Sequence, residues 1–156
     1  MSPSASERLL LGGAVAPLVG WVVATFEGRD RERFLHSQLC SDVRGLAEGS
    51  SQLTALLDRS ARVVAFGFLA KRRERIEMLM PADAAGAALA ALESSVIADE
   101  VRIRLLETPS LQLALGAEAV RCMGELPVNS VLPTPGASAE RALIARGAFS
   151  STWVAW

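Results

Sequence analysis

The stretch from Glu27 to Arg62, E-G-R-D-R-E-R-F-L-H-S-Q-L-C-S-D-V-R-G-L-A-E-G-S-S-Q-L-T-A-L-L-D-R-S-A-R, decides the fold of this 156-residue chain. A Gly28-Arg29-Asp30 turn leads into a short helix that carries Phe34, Leu35 and Leu39 inward and stops at Ser41-Asp42. Asp30 stands where a side chain caps the first turn, and Glu32 lies where the helix dipole favours an anion. A loop with Gly45 and Gly49 follows, then a strand from Gln52 to Leu57. The spacing predicts a strand–helix–strand unit with one apolar helix face.

Towards the N-terminus, Leu9 to Phe26 is an uncharged run that reaches the lower limit of a membrane span. Gly12, Gly13, Pro17 and Gly20 interrupt it as a helix. Ala14-Val15-Ala16 has the small residues of a leader cleavage site, but the apolar core before it is short and Pro17 would follow the cut. The preferred reading is a loop through Pro17 and a buried strand from Trp21 to Phe26. Residues 1–19 are then an N-terminal loop or extension, and residues 20–156 a single domain.

Towards the C-terminus, Asp58 to Ala61 reads as a turn. Arg62 to Ala70, rich in Val and Phe, suits a half-buried strand. Lys71 to Arg75 is a charged hairpin read as a solvated turn, with a phosphate or polyglutamate contact as the alternative, and Arg75 to Met80 returns. Pro81 to Val96 is a helix whose Ala85, Ala88, Leu89, Leu92 and Val96 share one face. Val101 to Leu106 alternates as a strand. Beyond it, Leu111 to Leu115 reads as a strand, Ala117 to Met123 as a short helix and Pro127 to Gly136 as a loop. Ala139 to Ala145 suits either element, and the apolar Trp153 to Trp156 suits a docked final strand or a chain shorter than its relatives. This order indicates an α+β fold, a largely antiparallel sheet with helices packed on it.

Composition narrows the function classes. A net charge of −1 gives no global reason to expect a nucleic-acid partner. The hydrophobic fraction of 51% is high for a chain with 21% charged residues. Cys40 and Cys122 lack metal-site spacing and read as two reduced, buried thiols of a cytoplasmic protein. His36, the lone histidine, assembles no Ser/His/Asp or Cys/His set and reads as a surface or satisfied core residue.

The ordered set Gly28, Asp30, Phe34, Leu35, Gln38, Leu39, Asp42-Val43, Leu46 and Gly49, followed by Leu57-Asp58 and Arg62, resembles the opening of the YgfZ/GcvT family. These are folate-binding iron–sulfur maintenance proteins and glycine-cleavage aminomethyltransferases. The similarity fades beyond Leu106. It implies the same α+β architecture, as the first part of a longer three-domain ring around a folate pocket, with tetrahydrofolate as cofactor. Trp21, Leu53, Phe66 and Phe68 fall at positions that line that pocket, where flat apolar groups suit a pterin. As plain residues, all four also suit a core.

Two departures matter. The K-G-C-Y-x-G-Q-E motif of YgfZ-type proteins is absent. Where the transferases carry G-G-x-x-D-D, this chain has Ala61-Arg62-Val63-Val64-Ala65-Phe66, without a carboxylate to hold a charged amine. Arg62 is typical of the YgfZ branch. Ala61 replaces the usual glycine, which speaks against a tight turn with positive φ. The resemblance thus implies a folate-binding protein that supports iron–sulfur cluster assembly or repair without conventional catalysis, its partners a folate and iron–sulfur client proteins. One alternative is a tetrahydrofolate-dependent aminomethyl or one-carbon transferase, or a subunit of one, with Asp58 as the near carboxylate. Another is a scaffold or dimerisation half that binds no folate and meets a second copy or a partner chain. None of these readings calls for a membrane.

Overall fold

The computed structural model describes residues 14–106, 112–115, 144–146 and 152–155. Two compact units emerge, one of residues 20–109 and the other of residues 1–19 with 110–156. The expected helix at Ala117–Met123 and loop at Pro127–Gly136 lie outside the described residues.

In the first unit the elements are β2 (Trp21–Glu27), α1 (Arg31–Gln38), β3 (Ser51–Leu57), β4 (Val63–Lys71), β5 (Arg75–Pro81), α2 (Ala82–Ser95) and β6 (Arg102–Leu105), preceded in the chain by β1 (Ala14–Pro17). Five strands form one antiparallel sheet in the order β3-β4-β5-β2-β6. The expected α+β architecture is therefore present.

Both helices cover one face of this sheet. Phe34 and Leu35 of α1 and Ala85, Ala88 and Leu92 of α2 share a core with Ala24, Phe26, Ala65, Leu69, Ile76, Met78 and Met80. The apolar spacing read from α2 matches its buried side, and its alanines let it lie close on β4 and β5. Strand β5 is buried from Ile76 to Met80 on both of its faces, which explains why it shows no alternation. At Gly67 the backbone of β4 presses against the Leu79 carbonyl, where any Cβ would collide.

After α1 the chain runs along the outer edge of β3. Leu39 bridges to Leu56, and the Cys40 amide donates to the Ala55 carbonyl at 3.0 Å. Val43 and Leu46 then turn back into the core, and Asp42 Oδ1 accepts from the Gly45 amide at 3.0 Å.

Asp30 differs from expectation. It occupies the cap position of α1, yet its side chain makes no cap bond. Instead Oδ2 accepts from the Glu100 amide at 2.9 Å, while the Asp30 amide donates to the Glu100 carbonyl at 3.2 Å. With Arg33 and Asp99 paired at 2.6 Å, these bonds clamp the β2–α1 turn to the segment entering β6.

The Glu100 amide, aided by Arg33 and Arg29, holds the Asp30 carboxyl below its ordinary value. A depressed carboxylate adds stability above the unfolded value near pH ~4 and loses it as pH falls through the lower folded value. Urea unfolding at pH 7 and at pH 3 is therefore expected to show a smaller acid loss for Asp30→Asn than for the wild type. Equal losses in both proteins would remove Asp30 from the account.

In the second unit β1, β7 (Gln112–Leu115), β9 (Thr152–Ala155) and β8 (Ile144–Arg146) form an antiparallel sheet in the order β1-β7-β9-β8. The loop expected through Pro17 is thus a strand from Ala14 to Pro17 paired with Gln112–Leu115. Proline is tolerated there because β1 is an edge strand and Pro17 its last residue. The expected strand at Leu111–Leu115 and the final apolar strand are present, and Ile144–Arg146 is a strand.

Candidate functional site

Alternation along each strand puts Trp21, Val23 and Thr25 of β2 on the sheet face away from the helices. Antiparallel register then aligns the other strands. Leu53 stands opposite Phe68, Phe68 opposite Leu79, and Leu79 opposite Val23. One row further on, Ala55 stands opposite Phe66. The regular pairing of β4 with β5 begins only at Phe68, so Phe66 reaches past it to Trp21. Their rings meet edge to face, with centroids 5.9 Å apart and planes at 88°, a favoured aromatic geometry.

The four residues singled out from sequence, Trp21, Leu53, Phe66 and Phe68, therefore share one face. Phe66 is 50% exposed and Leu53 58% exposed, while Trp21 and Phe68 are half-buried. Neither Leu53 nor Phe66 is a closed-core residue. An open depression of about 280 Å³ lies beside them, lined by Cys40, Ser41, Leu53, Thr54, Ala55 and Phe66.

Sequence reasoning missed its other wall. Cys40, expected to be buried, is an exposed free thiol, because the Leu39–Leu56 bridge spends the inward position on Leu39. Cys122 lies outside the described residues. On the helix-covered face of β3, opposite Leu53 and Ala55, Ser41 Oγ lies 2.8 Å from Thr54 Oγ1, and Gln52 Nε2 donates to Ser41 Oγ at 3.0 Å. His36 stays outside this wall, half-buried, with Nδ1 3.3 Å from Asp42 Oδ1 but not aligned as a hydrogen bond. Among the described residues no group of His, Cys, Asp and Glu is placed to hold a metal ion.

The β3–β4 turn carries an acid, Asp58, between the strands that bear Leu53 and Phe66. Its Oδ1 accepts from the amides of Ser60 (2.8 Å) and Arg62 (3.0 Å), and its Oδ2 faces Arg62 Nε at 2.8 Å and the Arg62 terminal nitrogen at 2.7 Å. The Arg62 amide, then the Arg62 guanidinium, hold this carboxyl below its ordinary value. A carboxylate so engaged is a poor proton acceptor.

Ala61 in the same turn has φ 59°, so the positive-φ turn exists without its usual glycine. Asp58 holds it closed through its carboxylate contacts and through its backbone, where the Asp58 amide donates to the Arg62 carbonyl at 2.9 Å and the Ala61 amide to the Asp58 carbonyl at 3.0 Å. Left-handed backbone costs an L-residue about 1–2 kcal/mol, and glycine gives some of that back as unfolded-state entropy. Ala61→Gly is expected to stabilise the chain by about 0.5–1 kcal/mol, seen as a higher urea midpoint. A lower midpoint would mean that Ala61 carries no strain.

The hairpin at residues 71–75 is less solvated than its sequence suggests. Arg73 and Glu74 are exposed, but Lys71 pairs with Glu32 at 2.9 Å. Arg75 and Arg72 meet the buried Glu77 at 2.6 and 2.9 Å, the second approach not aligned as a hydrogen bond.

No protein-family model and no curated protein sequence matches the chain. A solved structure does, over 95% of its length: the glycine cleavage system aminomethyltransferase T from Bartonella henselae, at a TM-score of 0.82 and 20% identity. The chain shares an aminomethyltransferase fold. It spans 42% of that neighbour's length. The match shows the α+β architecture expected from the resemblance. Among the described residues, no helix is long and apolar enough to cross a membrane.

Proposed function

We propose that this chain is a cytoplasmic, YgfZ-like folate-binding protein, which supports iron–sulfur enzymes and does not transfer an aminomethyl group. The observation that carries this reading is the character of the Trp21–Phe66 face. Where the transferases bring an acidic pair, Ala65 is buried in the core and Phe66 turns an aromatic ring to the surface. Such a face suits the flat ring of tetrahydrofolate, with Trp21, Leu53, Phe66 and Phe68 as its contacts. The carboxylate of Asp58 is occupied by Arg62 and two backbone amides, which leaves it unsuited to hold a substrate amine.

Calorimetric titration with tetrahydrofolate and 5-formyl-tetrahydrofolate tests the reading. Micromolar binding is expected, weakened about tenfold or more by Trp21→Ala, in line with the loss of a large aromatic contact. Absence of heat at millimolar ligand would end the folate reading for this chain. Tetrahydrofolate-dependent release of ammonia from an aminomethyl donor would replace it with the transferase.

A second reading draws on Val63, 60% exposed, and Leu57, 38% exposed, which extend the apolar surface beyond Leu53 and Phe66. Since the chain spans 42% of its structural neighbour, this surface suits a second copy or a partner chain that supplies further domains. A dimer that dissociates on dilution supports that scaffold; a monomer at every concentration excludes self-association.

A further inference from the structure

Strand β6 is one edge of the five-stranded sheet, with β3 at the other. Its bonds to β2 show which backbone groups point outward. The Leu106 amide donates to the Val23 carbonyl at 2.8 Å, and the Arg104 carbonyl accepts from Thr25 Oγ1 at 3.4 Å. Arg104 and Leu106 therefore turn their backbone groups to β2. Ile103 and Leu105, one residue out of phase, turn their amides and carbonyls away from it. Those groups find no hydrogen-bond partner among the described residues.

Open strand edges are commonly blunted by a proline, a bulge or a covering segment. Strand β6 contains no proline, and its pairs with β2, from Ala24↔Leu105 to Glu27↔Arg102, run without a register shift. What it carries is charge of one sign. Arg102 and Arg104 stand on the sheet face of Glu27 and Thr25, while Ile103 and Leu105 stand on the helix-covered face with Phe26 and Ala24. Leu105 is 46% exposed. Arg102 approaches Glu27 only at 4.0 Å, and Arg104, also exposed, has no carboxylate partner among the described residues.

These charges decide the occupant. A second β6 laid antiparallel on this edge, with Ile103 opposite Ile103 or Leu105, sets arginine against arginine, and like charges directly opposite destabilise a strand pair.

We propose that β6 is a docking edge for an extended segment of a partner protein in which acidic and apolar residues alternate. The segment adds a further antiparallel strand to the sheet. Its apolar residues bond to the backbone of Ile103 and Leu105, and its carboxylates stand opposite Arg104 and Arg102. Arg104 is the anchor, because Glu27 already shares Arg102. The proposal is independent of the folate reading and uses the sheet edge opposite to β3.

The test uses the full chain, the peptide acetyl-Glu-Val-Glu-Val-Glu-amide and, as charge control, acetyl-Lys-Val-Lys-Val-Lys-amide. Binding is read from amide shifts of residues 102–106. The net charge of −1 gives no general attraction for an acidic peptide, so a preference for it is local. The acidic peptide is expected to bind about tenfold tighter than the basic one, as two cross-strand charge pairs change sign. In this register the valine amides face β6 and the central glutamate amide faces away. N-methylation of both valines is expected to weaken binding about tenfold or more, whereas N-methylation of the central glutamate leaves it unchanged. Arg104→Glu removes the preference for the acidic peptide. Leu105→Pro deletes one outward amide at an edge that tolerates proline and weakens binding of the acidic peptide. Arg104→Glu alters only an exposed side chain, so it carries the test even if Leu105→Pro fails to fold.

Equal affinity of the wild type for the two peptides overturns the proposal. So do equal effects of methylation at valine and at glutamate, shifts confined to residues outside 102–106, or no binding at millimolar peptide. A dimer in sedimentation that Leu105→Pro dissociates assigns the edge to a second copy and overturns the acidic segment as its occupant.

Discussion

Gly28→Ala is expected to cost the folded chain about 3 kcal/mol, read as a lower urea midpoint at an unchanged slope. Two effects add. Gly28 holds φ 110°, a backbone region that costs a side-chain-bearing residue about 1–3 kcal/mol. Its Cβ would also collide with the backbone carbonyl of Glu100. That atom cannot swing aside, because its own segment is tied to the turn by both Asp30–Glu100 hydrogen bonds. Relief requires the clamp to open, and each bond lost adds about 0.5–1.5 kcal/mol. A variant that unfolds at the wild-type urea concentration would show that the 97–101 segment moves away at no cost.

The second large effect is expected at Glu77. The side chain is 2% exposed and meets Arg75 and Arg72 at 2.6 and 2.9 Å. Glu77→Ala removes the counter-charge that two guanidinium groups share. Breaking a buried ion pair from one side costs about 3–5 kcal/mol. Arg72 and Arg75 retain 18% and 31% side-chain exposure, so water relieves part of the repulsion and the lower end applies. Glu77→Gln keeps shape and hydrogen-bonding capacity and is expected to lose about half as much. Thermal unfolding of the two variants checks this order. Equal losses would assign the effect to packing and not to charge.

These two residues also mark where the sequence was legible and where it was not. Helix α2 was plain because Ala85, Ala88 and Leu92 recur at helical spacing and are buried. Strand β2 was plain because a run of apolar residues is bounded by Gly20 and Gly28. Glu77 was not, since a lone acid after an arginine-rich turn looks solvated. Only the pairing of β5 with both β4 and β2 encloses it. Asp30 misled for a similar reason: its cap position is local, whereas its partner Glu100 lies 70 residues away.

The candidate site divides in the same way. Trp21, Leu53, Phe66 and Phe68 come from three strands, and resemblance singled them out before any register was known. Their common face follows from the pairings Leu53↔Phe68 and Ala55↔Phe66 and from the Trp21–Phe66 contact. The polar cluster on the other face of β3 had no comparable signal. Ser41, Gln52 and Thr54 are ordinary residues in sequence and meet only because the chain after α1 is laid along the edge of β3. Ala61 ran against the glycine rule, and the turn survives because Asp58 binds Arg62 so fully.

The place of β2 in the sheet has a consequence during synthesis. It is the first strand of its unit to leave the ribosome, yet it sits between β5 and β6. Phe26 pairs with Ile76, 50 residues later, and with Ile103, later still. At about 5–20 residues per second, translation leaves β2 without either neighbour for several seconds. Meanwhile β3 and β4 can already join by a short connection. The nascent chain therefore passes through an interval in which Val22 to Phe26 is exposed and seeks a strand partner, which is when a holding chaperone has most to protect.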